Sequence, residues 1–164
     1  MLYCLDTNVF FTPGNLYYPM DFSPAYWDMI DKHTEDGSVL ILDQVYKELT
    51  KGESDVSEWI KERKDSGLVK KFHDDATQEE YKKIVDHVVA DGYKPEVVAE
   101  FLSGADPWII AACKVHQLVL VTKETYSTSK KKVKIPNICR EFDVEYIDDF
   151  EMIRKLEAKF ILEY

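Results

Sequence analysis

Short apolar runs alternate with amphipathic stretches along the whole chain, a rhythm that predicts strands separated by helices. Residues 2–6 read as a first strand, and a turn-rich stretch with Pro13, Gly14 and Asn15 follows. Residues 22–35 set Tyr26, Trp27, Ile30 and His33 near one helical face, and Gly37 ends that helix. Residues 38–42 form a continuous apolar run, as in a strand covered on both faces, with Asp43 placed to cap a helix running through Glu48. A helix over residues 55–64 turns Val56, Trp59 and Ile60 inward and stops at Gly67. Residues 68–72 read as a short edge strand, and residues 77–89 as a helix with Tyr81, Ile84, Val85 and Val88 inward, closed at Gly92. Residues 95–102 and 106–116 are two further helices, and residues 118–122 are the clearest strand. Beyond a polar loop come a short helix over 136–142, a last strand over 144–147 and a closing helix over 150–162, capped by Asp148 or Asp149. The alternation predicts an α/β fold in three layers, α/β/α, around a central, mostly parallel sheet.

Composition narrows this picture. The 164 residues fit a single domain spanning 1–164, long enough to bury roughly 70% of the unfolded surface. An apolar share of 45% with 32% charged residues is a globular balance. Cys4, Cys113 and Cys139 are too few and too scattered for a disulfide framework and read as small buried thiols. The chain starts with no signal-type segment, and no apolar run approaches the roughly 20 residues of a membrane span, so a cytoplasmic protein without a membrane partner is expected.

The net charge of −10 argues against a polyanionic partner until its distribution is considered. Residues 123–140 hold Lys123, Lys130, Lys131, Lys132, Lys134 and Arg140 against the single acid Glu124. That segment carries +5 and leaves −15 on the remainder. The Lys130, Lys131, Lys132 and Lys134 cluster is therefore a candidate for tracking a phosphate backbone, although the same residues also suit a solvated loop.

Four acids stand where an apolar run ends or a helix begins: Asp6, Glu48, Asp106 and Glu124. In an open α/β sheet, groups beyond the carboxyl ends of the strands converge on one crevice. Converging carboxylates stay ionised together only around a cation, which makes the set a candidate divalent-metal site. Each acid also has a plainer reading, as a helix cap for Asp6 and Asp106, a solvated helix face for Glu48 and an exposed loop acid for Glu124. All-oxygen ligation favours Mg²⁺ or Mn²⁺, and His33, His73, His87 and His116 show no zinc-ligand spacing.

Asp6-Thr7-Asn8, Asp43-x-x-Tyr46-x-Glu48-Leu49, and Ala105-Asp106-x-x-Ile109-Ile110-Ala111-Ala112 leading into Leu118-Val119-Leu120-Val121-Thr122-Lys123-Glu124 together resemble the PIN-domain family of metal-dependent ribonucleases. The tail from Phe142 to Phe150 resembles that family's final strand and helix, so the likeness spans nearly the whole chain. It implies catalytic and metal-binding roles for Asp6, Glu48, Asp106 and Glu124, supported by Thr7 and Asn8. The position of Glu124 is usually Asp in the family, and the following loop is longer and richer in Lys than in its common toxin members, which marks a divergent subfamily. The resemblance further implies cleavage of RNA, single-stranded or looped, with Tyr17, Tyr18 or Tyr126 available for stacking on bases. It also implies an antitoxin partner of the VapC-toxin type, and homodimer formation. Two other readings compete. One is a PIN-like scaffold that binds RNA or protein without cutting; the other is an aspartyl phosphoryl-transfer domain, against which Asn8 stands where a second Asp is required.

Overall fold

The computed structural model describes residues 1–12 and 17–162, so the turn expected at Pro13, Gly14 and Asn15 lies outside the described residues. Within them, β1 (Tyr3–Leu5), β2 (Val39–Leu42), β3 (Val69–Lys70), β4 (Val119–Val121) and β5 (Tyr146–Ile147) form one sheet in the order β3-β2-β1-β4-β5. Every pairing is parallel, with Tyr3 level with Val39 on one side and Val119 on the other. The helices are α1 (Asn8–Thr12), α2 (Ala25–Glu35), α3 (Asp43–Leu49), α4 (Asp55–Glu62), α5 (Asp75–Ala90), α6 (Pro95–Ser103), α7 (Asp106–His116), α8 (Ile135–Glu141) and α9 (Asp149–Lys155); α2, α3 and α7 pack directly on the strands, and α5 and α6 pack on α7. The three-layer α/β/α arrangement expected from the sequence is the one observed.

The continuous apolar runs become the central strands because both of their faces are covered. Every residue of β1, β2 and β4 is buried, whereas the edge strand β3 is half exposed. The chain builds outward from β1 to β2 and β3, then returns to lay β4 and β5 on the other side of β1. The order therefore reverses between β1 and β4, and the crevice beyond their carboxyl ends is where an α/β sheet offers a site. A sharp reversal feeds β4: Gln117 closes α7 in the left-handed region at φ 54°, its N–H donating to the Cys113 carbonyl.

Several ends differ from expectation. Asp43 does not cap α3; Leu42 holds the cap position, and the buried Asp43 carboxylate instead meets Lys47 Nζ at 3.1 Å and His73 Nε2 at 3.3 Å. Helix α5 starts earlier than its apolar pattern suggests because Asp74 caps it, accepting from Thr77 N–H at 2.9 Å. Helix α9 is much shorter than residues 150–162: Asp148 caps it as expected, but it ends at Lys155, and Glu157 turns left-handed at φ 55°. The three cysteines are buried and unpaired, as expected. Among the described residues, no helix is long and apolar enough to cross a membrane.

Candidate active site

At the carboxyl end of β1, Asp6 is 3% exposed and hydrogen-bonded on both oxygens. Its Oδ1 accepts the Thr7 backbone N–H at 2.7 Å, and its Oδ2 accepts the Thr122 hydroxyl at 2.9 Å. Thr122 directly follows β4, and its Oγ1 in turn accepts the Glu124 N–H at 3.1 Å. Asn8 Oδ1 accepts the Lys123 N–H at 2.9 Å, while Asn8 Nδ2 reaches Thr122 Oγ1 at 3.4 Å. These bonds, through Thr7, Asn8 and Thr122, tie the ends of β1 and β4 together.

Glu48 arrives from α3. Its Oε1 accepts the Ala105 N–H at 2.8 Å, and its Oε2 accepts the Thr7 hydroxyl. Space is tight here: a Cβ on Gly104 would stand 3.1 Å from Glu48 Oε1, so the carboxylate would have to give way slightly. Asp106 is the first residue of α7, yet Ala105 is the cap and no side chain caps that helix. The half-buried Asp106 carboxylate accepts no hydrogen bond from the described residues. Glu124 is held by its own loop, with Oε1 at 3.0 Å from Lys132 Nζ and Oε2 accepting the Ile135 N–H at 2.8 Å.

Asp6 and Asp106 both feel the charges of Glu48 and Glu124. Burial chiefly pushes Asp6 up to about 7, with the charges of Glu124 and Glu48 adding to the rise and the Thr122 and Thr7 hydrogen bonds opposing it. Burial likewise leads for Asp106, which the charges of Asp6, Glu124 and Glu48 help push up to about 8, with Lys132 opposing. Two carboxylates that resist ionisation side by side are a donor set awaiting positive charge. Among the described residues, no three His, Cys, Asp or Glu side chains are gathered closely enough to cage an ion by themselves. Asp6, Glu48 and Glu124 each have both oxygens engaged by protein groups, whereas Asp106 accepts no hydrogen bond among the described residues and is the freest of the four to meet a ligand.

A cleft of about 220 Å³ opens beside Asp106 and Glu48, walled by Phe101, Gly104, Lys132 and Val133. Of the basic loop, only Lys132 lines it. Lys130 turns away to Asp91 Oδ2 at 2.6 Å and lies 4.1 Å from the Tyr93 ring centroid, Lys131 is exposed, and Lys134 precedes α8. The aromatic candidates also separate. Tyr18 is stacked on Tyr26 at 4.7 Å, Tyr17 meets Phe150 edge-on at 6.1 Å, and Tyr126 remains 47% exposed.

Sequence reasoning missed three contributors. Thr122 orients Asp6, and its only local signal was a hydroxyl at the end of the best strand. Gly104 admits Glu48, which no local pattern reveals. Lys123 Nζ meets the fully buried Asp149 Oδ1 at 2.6 Å, joining the end of β4 to the start of α9. Nothing in the spacing announces that pair.

Residues 3–160 match the family model described as Domain of unknown function (DUF4411). The chain belongs to that family. No curated protein matches the sequence. The fold is similar to that of VapBC2 from Rickettsia felis bound to a DNA fragment from their promoter, at 14% identity and a TM-score of 0.55, covering 90% of this chain and 98% of that one. VapBC-1 from nontypeable Haemophilus influenzae gives 16% identity and a TM-score of 0.56 over 90% of this chain and 98% of that one. FitAcB from Neisseria gonorrhoeae gives 21% identity and a TM-score of 0.53 over 89% and 96%. At such identities the likeness is one of fold, and the fold of this DUF4411 member is the PIN-like one that its sequence resembles.

Proposed function

We propose that the chain is a divalent-metal-dependent endoribonuclease acting as the toxin of a toxin–antitoxin pair. The observation that carries this reading is the acidic set at the carboxyl ends of β1 and β4, where Thr7 links Asp6 to Glu48, Thr122 links Asp6 to the Glu124 backbone, and Asp106 stands beside Glu48 in one cleft. Asp6 and Asp106 would hold Mg²⁺ or Mn²⁺, which when bound supplies Lewis acidity toward water and the phosphoryl oxygens. Thr122 and the Thr7 N–H fix the Asp6 carboxylate, so its orientation is set before any ligand arrives. Glu48, locked by Thr7 and Ala105, and Glu124, locked by Lys132 and Ile135, frame the crevice with negative charge. The Lys132 ammonium, at the rim beside Asp106, supplies positive charge to the phosphodiester.

The neighbours in fold are VapBC and FitAcB proteins, and this supports a VapB-like antitoxin as the partner. A partner arginine would suit the crevice, because a guanidinium forks onto carboxylates. A partner that contacts only surfaces remote from Asp6 and Asp106 would refute that mode of blockade.

The test is cleavage of a panel of single-stranded and structured RNAs with Mg²⁺, Mn²⁺ or EDTA. Asp6→Asn and Asp106→Asn, purified in parallel, should each keep the fold and lose at least about 100-fold in rate, equivalent to about 2.7 kcal/mol of barrier. Parental activity in either variant would place the chemistry elsewhere. A non-cutting scaffold is the second reading, favoured by the engagement of Glu48 and Glu124 in protein hydrogen bonds; RNA binding with no cleavage under any metal would support it.

A further inference from the structure

We infer that the cleft at the carboxyl ends of β4 and β5 is a nucleobase subsite, taking an unstacked base with an exocyclic amino group next to the cleaved phosphate. The inference rests on RNA being the substrate and adds where, and how selectively, one of its bases is held. The cleft encloses about 370 Å³ and runs from Thr122, Lys123 and Glu124 past Tyr126 and Tyr146 to Phe150 and Glu151. Thr122 and Glu124 line this cleft, and they bond to Asp6 and to the Lys132 ammonium of the acidic crevice, so a nucleotide with its phosphate in the crevice has its base within reach of these rings.

The aromatic wall is held ready. The Arg140 guanidinium lies over the Tyr126 ring, 4.1 Å from its centroid, and Arg140 Nε donates to the Tyr146 hydroxyl at 3.0 Å. One cation thus fixes two tyrosines, and a half-exposed ring that would otherwise sample rotamers is restrained before a ligand binds. Across the cleft, Phe150 is 37% exposed and backed by Lys123 Nζ, 4.6 Å from its centroid. Exposed rings positioned in this way offer π-faces to unstacked bases, which is how single strands are gripped.

Charge decides which part of the nucleotide fits. The ammonium lining the cleft, Lys123, is spent on Asp149. Asp148 and Glu151 add carboxylates, exposed at the far end. These carboxylates can accept N–H bonds from a base, and the cation of the aromatic wall, Arg140, is turned onto the Tyr126 ring and the Tyr146 hydroxyl. Adenine, cytosine and guanine carry an exocyclic amino group, whereas uracil offers carbonyl oxygens there.

The test is the affinity of fluorescein-labelled oligoadenylate and oligouridylate for the Asp6→Asn protein, whose loss of cleavage preserves the probe. Oligoadenylate should bind more tightly than oligouridylate. Tyr126→Ala should weaken oligoadenylate by about 5- to 150-fold, the range for losing one stacked base, with Tyr126→Phe close to the parent. Abasic substitutions in the oligonucleotide should reproduce the loss without touching the protein. Equal affinity in Tyr126→Ala, or indifference to abasic sites, would overturn the subsite. Cleavage by the parent reports separately: if it is present while binding ignores Tyr126, the subsite alone fails. If cleavage is absent while binding needs Tyr126, the nuclease reading alone fails.

Discussion

Asp6 and Asp106 set the pH response of the protein because their ionised forms are the costly ones. An ordinary Asp titrates near 3.8, whereas folding raises these two to about 7 and about 8. A carboxyl raised by folding contributes its stability below the unfolded pKa and loses it as pH rises through the folded one. The metal-free protein should therefore melt at progressively lower temperature between pH 4 and pH 8, with Asp106→Asn removing much of that slope. Mg²⁺ competes with the protons, so its apparent affinity should rise over the same interval and its stabilising effect should be larger at pH 8 than at pH 6. Melting curves with and without Mg²⁺ check both statements, and a metal-free profile flat across this range would contradict them. The four candidate acids stand out in the sequence because each ends an apolar run or opens a helix. Their unequal engagement does not: that Asp106 accepts no bond among the described residues while Glu124 grips its own loop depends on Lys132 and Ile135, which local pattern does not bring to the site.

The elements around the site depend on one buried ion pair. Lys123 leaves the end of β4, Asp149 begins α9, and their 2.6 Å contact is almost fully enclosed, with Lys123 16% and Asp149 0% exposed. The second Asp149 oxygen is buried with no partner among the described residues, so the pair does not fully repay its desolvation. Asp149→Ala strands a buried ammonium and should cost about 3–5 kcal/mol, whereas Lys123→Met with Asp149→Leu should be much nearer neutral. Chemical denaturation of the single and double variants measures this; equal costs would mean that the pair only fills space. The pair also shows why elements were easier to read than their joints. Strands β1, β2 and β4 were visible as apolar runs because burial on both faces leaves no polar position. Helix α9 was overestimated because the apolar residues beyond Lys155 continue a helical pattern that the backbone abandons at Glu157, leaving Ile161 and Leu162 exposed. Asp43 looked like a cap by position, but tertiary contact with Lys47 and His73 claimed its carboxylate.

For the whole molecule, a net charge of −10 and an acidic crevice must be reconciled with a polyanionic substrate. The basic segment is the only strongly positive stretch of the sequence, and the fold uses its lysines unequally. Lys130 is neutralised by Asp91, and Lys132 is held by Glu124 at the crevice rim. Lys131 and Lys134 form no ion pair among the described residues and are the ones able to displace counterions from RNA. Each phosphate neutralised on a single strand contributes about −0.7 to the slope of log affinity against log salt. Lys131→Ala and Lys134→Ala should therefore each flatten that slope by about 0.7, and Lys130→Ala should leave it nearly unchanged. Exchanging Lys130, Lys131 and Lys132 together for Ala should weaken binding further, because Lys132 is lost from the rim. Salt titrations of RNA binding in the Asp6→Asn background separate these cases. An unaltered slope in both the Lys131 and Lys134 variants would make the loop an ordinary solvated surface, and RNA would then have to enter on the metal and the aromatic cleft without it.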